Sequence, residues 1–579
     1  MDAEDFRQHG KEMVDYICSY LENIEQYRVI PDVEPGYLKT LLPNEAPEEG
    51  EDWKKIMEDV EDKIMPGVTH WQHPRFHAYF PSGNSYPSIL GDMLSDAIGC
   101  IGFSWVASPA CTELETIVLD WLAKATGLPQ SFLSTSPSGG GVIQGSASEC
   151  ILTCMIAARA HTIERLKEQI CCNGDEGKHD SVYLPRLVAY CSKESHSCVE
   201  KAAKIALVKL RILEVDDDGS LSADTLQKAM EEDVANNLVP FFVSVTLGST
   251  ACTSFDDLST IGPVVRSFPS VWLHVDAAYA GSAFICPELR YLLKGIEHAD
   301  SYNTNTNKWL LVNFDCSCLW VRDRWKLTKG LVVDPLYLQH ANDEETIDYR
   351  HWGIPLSRRF RSLKLWFVLR KYGIEGLRSY IRNHIELAKV FEAHIVKDLK
   401  FELMNNVRLG LVCFRLAGSD KMNQQLIDYV HNSGELFLIP AKVRGKFSIR
   451  FCVVSEHATA RDIEIAWETI NAAAYEILKT GTPKTPEPII ANRPPHLRPF
   501  GRQLSRQFSF TRSVSREVYK REHSKSSLHD GATPILVPED EEGCGLDEYD
   551  YCDSEETRTD TPKTPDLEPE FQDYENVRQ

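Results

Sequence analysis

Short apolar runs at 186–191, 239–247, 271–276 and 309–313 alternate with helical patterns between about residues 85 and 365, and this alternation constrains the chain more than any other feature. A run of that length, apolar on both faces, is a strand buried from both sides, and each intervening helix supplies a cover. The expectation is an α/β fold whose large domain carries a mostly parallel sheet. A helix-rich stretch at 363–399 then leads into alternating runs at 409–416 and 447–454 and a last amphipathic segment ending near 478, which reads as a smaller C-terminal α+β domain. Near the start, Phe6, Met13, Val14, Ile17, Leu21 and Ile24 recur at helical spacing, so an N-terminal helix with one apolar stripe must dock on something. The expected divisions are an N-terminal helical segment at 1–85, a large domain at 86–365, a small domain at 366–478 and a tail at 479–579.

The tail differs in kind. Residues 480–579 hold 11 of the 30 prolines and none of the 11 tryptophans, and they repeat Thr-Pro-Lys-Thr-Pro at 482–486 and 561–565. Such a stretch buries no core and is expected to be disordered. Its first half is basic, ten Lys/Arg against four acids at 480–530, and its second half acidic, three against sixteen at 531–579. Arg502, Arg506 and Arg512 each lie three residues before a serine (Ser505, Ser509, Ser515), a spacing that suits a kinase or a phosphoserine-binding adaptor; a solvated spacer is the competing reading.

Across the whole chain, 43% hydrophobic and 25% charged residues exclude a collagenous, wholly disordered or membrane-embedded protein. A net charge of −23 argues against nucleic acid or an anionic membrane as partner. The opening MDAEDFRQHGK is polar, unlike a secretory signal, and the expectation is a cytoplasmic protein. The 17 cysteines contain no Cys-x-x-Cys pair, so no metal site and no disulfide framework is expected.

Three stretches carry chemistry. In VWLHVDAAYAG an apolar run delivers Asp276 at its end, followed by small residues that admit a flat ligand. Alone, this carboxylate reads as a structural salt bridge or as the partner of a cationic ligand nitrogen. In SYNTNTNKWLLVNFDCS, Lys308 is followed at once by the apolar run 309–312; desolvation there favours a neutral, imine-forming amine, although a paired or snorkelling lysine gives the same pattern. Together, an imine-forming lysine and a strand-end carboxylate for a pyridinium nitrogen are what pyridoxal 5′-phosphate needs to act as an electron sink. SPSGGGVIQGSASE supplies a cradle for its phosphate, with Gly139–Gly141 and then Gly145, Ser146, Ala147 and Ser148 opening a helix, though a glycine-rich turn alone is weak evidence. His196 stands at a helix entry, placed to stack on a ring, to transfer a proton or to pack in the core, and Tyr337 lies within an apolar stretch that runs into a polar loop.

Five further stretches, THWQHPRFHAYFPSGNSYPSILGDML, GFSWVASPACTELE, HVDAAYAGSAFICPELR, KWLLVNFDCS and DYRHWGIPLSRRFRSLKLWFVLR, give residues 1–478 a resemblance to the group II pyridoxal-phosphate decarboxylases, which include DOPA, histidine and tyrosine decarboxylases. The resemblance implies fold type I, like aspartate aminotransferase, and an obligate homodimer in which the 1–85 segments embrace the partner. It implies that Lys308 bears the cofactor, that Asp276 pairs with its ring nitrogen and that His196 stacks on its ring. Ala147, Ser148 and Asn305 match phosphate positions, while Thr246, Ala278 and Asn307 match other cofactor contacts. Trp71, Tyr79, Phe80, Pro81 and Ser82 match the substrate pocket, completed across the dimer by Ile101 and Phe103, with Ser357 also near it. Tyr337 matches the loop residue that protonates the product.

Two positions choose a branch. The residue before the lysine is usually His in the DOPA branch but is Asn307 here, and Ser357 stands where that branch carries Gly. Asn307 resembles the invertebrate tyrosine decarboxylases, whereas Ser at 357 is shared by the histidine and tyrosine branches and argues only against DOPA; the expected reaction is tyrosine to tyramine, the octopamine precursor. A DOPA or aromatic amino-acid decarboxylase and a histidine decarboxylase remain alternatives, as does a non-catalytic protein that regulates partners through the tail.

Overall fold

The computed structural model describes residues 1–171, 179–333 and 346–480. Its main sheet has seven strands: β1 (Gly140–Gln144), β2 (Leu187–Ser192), β3 (Lys209–Leu213), β4 (Val239–Thr246), β5 (Trp272–Asp276), β6 (Ser301–Asn305) and β7 (Ser317–Val321). They lie in the order β1-β7-β6-β5-β4-β2-β3, and β3, β2, β4, β5 and β6 run parallel while β7 is antiparallel to both of its neighbours. The fold is therefore α/β with a mostly parallel sheet. Every residue of β2 and β5 is buried, which explains why these strands read as continuous rather than alternating runs.

The expected strands at 186–191, 239–247 and 271–276 are β2, β4 and β5. The run at 309–313 is not a strand. Thr306–Trp309 forms a single helical turn, and Leu310, Leu311 and Val312 then drop into the core. Apolar composition there reflects core filling beneath Lys308, with Leu311 at a left-handed φ of 59°, a conformation incompatible with a strand. The real strands on either side, β6 and β7, begin with the polar sequences SYNTN and SC, which mimic turns.

The second sheet is antiparallel, β10-β11-β9-β8, from β8 (Phe401–Leu403), β9 (Leu411–Leu416), β10 (Ile439–Val443) and β11 (Lys446–Cys452). Helices Asp420–Ser433 and Ala460–Thr480 pack against it. The long helix Ser362–Lys397, broken at Gly373 (φ 65°, ψ 171°), joins it to the main sheet. The helix Tyr86–Ile98 crosses the start of this long helix so closely that a Cβ on Gly91 would lie 2.6 Å from Lys364 Cα.

Helix Ala3–Glu22 starts with a capping box in which Asp2 accepts from Glu4 N and Asp5 N. None of its residues is buried, and Phe6 and Val14 are exposed. A second exposed apolar strip, Leu90, Met93, Leu94 and Ile98, runs along Tyr86–Ile98 at helical spacing and continues to Ile101.

Candidate active site

The site forms where the parallel strands end, the usual crevice of such a sheet. Register brings Thr246, Asp276 and Asn303 level on β4, β5 and β6. Asp276 is 5% exposed. Its Oδ1 accepts from Ala278 N at 3.0 Å and Asn303 Nδ2 at 3.4 Å, and its Oδ2 accepts from no described residue. Ala278 in turn accepts from Asn305 N at 3.0 Å. Two residues below Asp276, His274 is buried between Ser301 Oγ (2.7 Å) and Asn303 Oδ1 (3.0 Å), and burial lowers it to about 4, so it supports the strand ends as a neutral ring.

Lys308 rides on the Thr306–Trp309 turn. Its neighbour Asn307 fastens that turn: Asn307 Oδ1 accepts from Cys316 N at 3.1 Å, and Asn307 O accepts from Gly83 N at 2.7 Å, just beyond Pro81 and Ser82. Among the described residues Lys308 Nζ has neither a hydrogen bond nor an ion pair; it lies 5.6 Å from the centre of the Phe80 ring. Burial holds this amine below the ordinary lysine value, Asp276 pulls it upward, and Arg450 adds to the lowering. His196 caps the helix Ser197–Ala206, its Nδ1 accepting from Cys198 N at 3.2 Å, and burial and Lys308 both hold it below the ordinary imidazole value. Lys308, Asp276 and His196 thus share one electrostatic neighbourhood, and Ser195 Oγ, 3.4 Å from Thr246 Oγ1, ties the His196 turn to β4.

The glycine-rich stretch divides in two. Gly140 and Gly141 lie within β1, where a Cβ would strike the Trp352 and Trp320 rings, and Gly139 packs against Ser131 O, so these three glycines serve packing rather than the cradle. The turn that can receive an anion is Gly145–Ser148, at the start of helix Ala147–Cys171, with Ala147 buried and Ser148 exposed. Asn305, at the end of β6, accepts from Ser317 Oγ at 2.7 Å.

Aromatic rings wall the opposite side. Phe80 stacks on Tyr279 (3.8 Å), which stacks on Trp309 (4.7 Å), a column running behind Lys308. Trp71 stacks on Tyr79 at 5.1 Å; Tyr79 holds a left-handed φ of 57°, and Ser82 O accepts from Gln72 Nε2. Ile101 and Phe103 share none of the hydrogen bonds or ring contacts that join these residues: Ile101 is exposed and Phe103 O accepts from Arg350 N. Ser357 sits beside Gly145 and Glu149. Tyr337 and the tail serines lie outside the described residues.

One residue escaped the sequence reading. Arg450, on β11, is 2% exposed, its guanidinium 4.9 Å from the centre of the Phe80 ring, with Nε and Nη2 lacking any partner among the described residues. Its signal was an arginine inside the apolar run KFSIRFCVV. Lys308 and Arg450 therefore border one ring, and the buried guanidinium, with no counter-ion among the described residues, is a costly arrangement that suits an anionic ligand.

A family model described as the pyridoxal-dependent decarboxylase conserved domain matches residues 35–417. The chain belongs to that family. It is 52% identical to an aromatic-L-amino-acid decarboxylase of Sus scrofa over 83% of this chain and 98% of that protein. It is equally 52% identical to a histidine decarboxylase of Drosophila melanogaster, over 83% of this chain and 56% of that one. Among solved structures, Oryza sativa TDC with PLP and tryptamine superposes with a TM-score of 0.79 at 37% identity, covering 82% of this chain and 99% of that one. The protein is a carboxy-lyase of the aromatic amino-acid and histidine decarboxylase group, and its cofactor is pyridoxal phosphate. The residues present fit that group: an uncommitted amine on Lys308, a free Oδ2 on Asp276 and a helix N-terminus at Ala147 offer one partner each to its aldehyde, ring nitrogen and phosphate.

Proposed function

We propose that the enzyme decarboxylates L-tyrosine, releasing tyramine and carbon dioxide. The observation that carries the reaction is the buried Arg450, whose Nε and Nη2 have no partner among the described residues, facing the same aromatic ring as Lys308. Arg450 would receive the substrate carboxylate, and Lys308, whose amine burial holds below the ordinary lysine value, would hold the cofactor's aldehyde and yield it to the substrate amine. Bound pyridoxal phosphate supplies the electron sink for charge left on the α-carbon. Asp276 Oδ2 holds the proton on the cofactor's ring nitrogen, His196 covers the ring, Thr246, Ala278 and Asn307 frame it, and Ala147, Ser148 and Asn305 hold its phosphate. Tyr337 delivers the proton to the α-carbon once the carboxylate has left.

Tyrosine is favoured among aromatic substrates by the walls. Trp71, Tyr79 and Phe80 offer apolar faces to a phenol, whereas an imidazole pays more desolvation there and a catechol needs a partner for a second hydroxyl. Asn307 supports the same choice, and Ser357 argues against DOPA without separating tyrosine from histidine. A second copy of the chain supports it further: the exposed strip from Leu90 to Ile101 suits an isologous contact through which Ile101 and Phe103 complete the neighbouring pocket; sedimentation as a monomer would refute this. The free state of the thirteen described cysteines accords with a cytoplasmic enzyme, and no described helix is long and apolar enough to cross a membrane.

The test is the loaded enzyme given tyrosine, DOPA and histidine separately, with amine and carbon dioxide measured. Tyramine is expected to dominate. Dopamine or histamine in excess overturns the tyrosine assignment, and absence of any amine overturns the reaction itself.

A further inference from the structure

Asp256 is 3% exposed and forms no ion pair with a lysine or arginine among the described residues. Three backbone bonds surround it: Oδ2 accepts from Thr246 N at 2.7 Å, Oδ1 accepts from Leu221 N at 2.7 Å, and its own N donates to Thr246 O at 3.0 Å. We propose that Asp256 is the positioning residue for the cofactor end of β4, setting Thr246 level with Asp276 and, through Ser195, aligning the turn that carries His196.

The geometry gives this carboxylate leverage. Thr246 is the last residue of β4 and the register partner of Asp276, and the next residue, Leu247, donates to Asp276 O at 2.9 Å. Between Thr246 and Asp256 the chain doubles back through a tight loop in which Gly248 N and Ser249 N both donate to Ser254 O. The second sheet grips that loop: Asn405 Nδ2 donates to Cys252 O at 3.1 Å and Cys413 Sγ to Ala251 O at 3.3 Å. Asp256 is therefore the point at which a loop held by one sheet is fixed to the catalytic edge of the other. Two short amide donors favour its ionised form. Burial opposes them, and Asp216 from the loop after β3 and Glu194 from the turn after β2 face it with like charge, so that its carboxyl is pushed up to about 7. Above that pH both oxygens accept; below it one becomes a hydroxyl and gives up its amide.

This role rests on the reading of Thr246 and His196 as cofactor contacts, and the test separates the two. In Asp256→Asn one amide must face an NH2 whichever way the side chain turns. Expected in the holoenzyme is a modestly lowered melting temperature, a kcat lower by about tenfold with KM held within about twofold, and loss of the pH dependence near 7. In the cofactor-free protein, amide hydrogen exchange at Thr246 and Leu221 should accelerate while β5 and β6 stay protected. Wild-type exchange at both amides overturns the positioning role outright. Accelerated exchange with wild-type kcat and pH profile keeps the clamp but overturns its link to the site. If the variant fails to fold, cofactor-free wild type decides: exchange at these two amides, corrected for intrinsic chemistry, should rise as pH falls through about 7, and a featureless dependence overturns the proposal.

Discussion

A buried arginine without a carboxylate is unusual, because an isolated cation in a dry pocket costs several kcal/mol. That cost makes a sharp prediction at Arg450. Arg450→Met fills the same space without the charge, so the melting temperature should hold or rise, whereas KM for every amino-acid substrate should increase on the order of a hundredfold. Inhibition by tyramine, which has no carboxylate, should not change. A variant that loses stability and keeps its KM would show that Arg450 holds the fold and not the substrate. Legibility at this scale follows from local context. Asp276 and Lys308 stood out because each borders an apolar run, and the structure brings both together with His196. Arg450 and Asp256 did not, since an arginine within a strand reads as an edge residue and FDDL reads as a helix cap; only the fold reveals that one lacks a partner and the other binds two distant amides.

Between elements, one close contact is the crossing of Tyr86–Ile98 over the long helix. Lys364 is 0% exposed and pairs with Asp92 at 3.0 Å, while Arg361 holds Asp315 at 2.7 Å, and the next residue, Cys316, brackets Asn307 beside Lys308. The crossing therefore supports the lysine turn through three links. Gly91→Ala places a methyl against the Lys364 backbone, which cannot swing aside as a side chain can, and should cost roughly 1–3 kcal/mol. Denaturant unfolding of the variant checks this, and an unchanged midpoint would show that the helices separate freely. The strands β2, β4 and β5 were legible because both their faces are apolar. β6 and β7 were hidden by their polar residues, Asn303, Asn305 and Ser317, whose side chains bond to Asp276 and to one another, so a buried polar network masked the pattern that normally announces a strand.

Over the whole molecule, buried histidines set the acid limit. His77, His274 and His384 are each held at about 4 by burial, against 6.5 in an unfolded chain. With folded values lower than unfolded ones, the unfolded chain binds more protons below pH 6.5, so stability is complete above that pH and declines as pH falls toward 4. The melting temperature of the cofactor-free protein should drop steeply through this window, accompanied by proton uptake on unfolding; a flat profile down to pH 4 would sink the argument. The α/β architecture was legible in the chain's alternating pattern. The pairing of the sheets was not, since which strands become neighbours depends on packing between residues far apart in sequence.

That distance carries a last consequence. β1 lies at the edge of its sheet and pairs with β7 alone, roughly 180 residues downstream. A chain emerging from the ribosome makes the strand leading into the Gly145–Ser148 turn early, yet has nothing to lay it against until β7 follows. The Gly145–Ser148 turn thus takes its place only after β7 has emerged, well after its own residues were made.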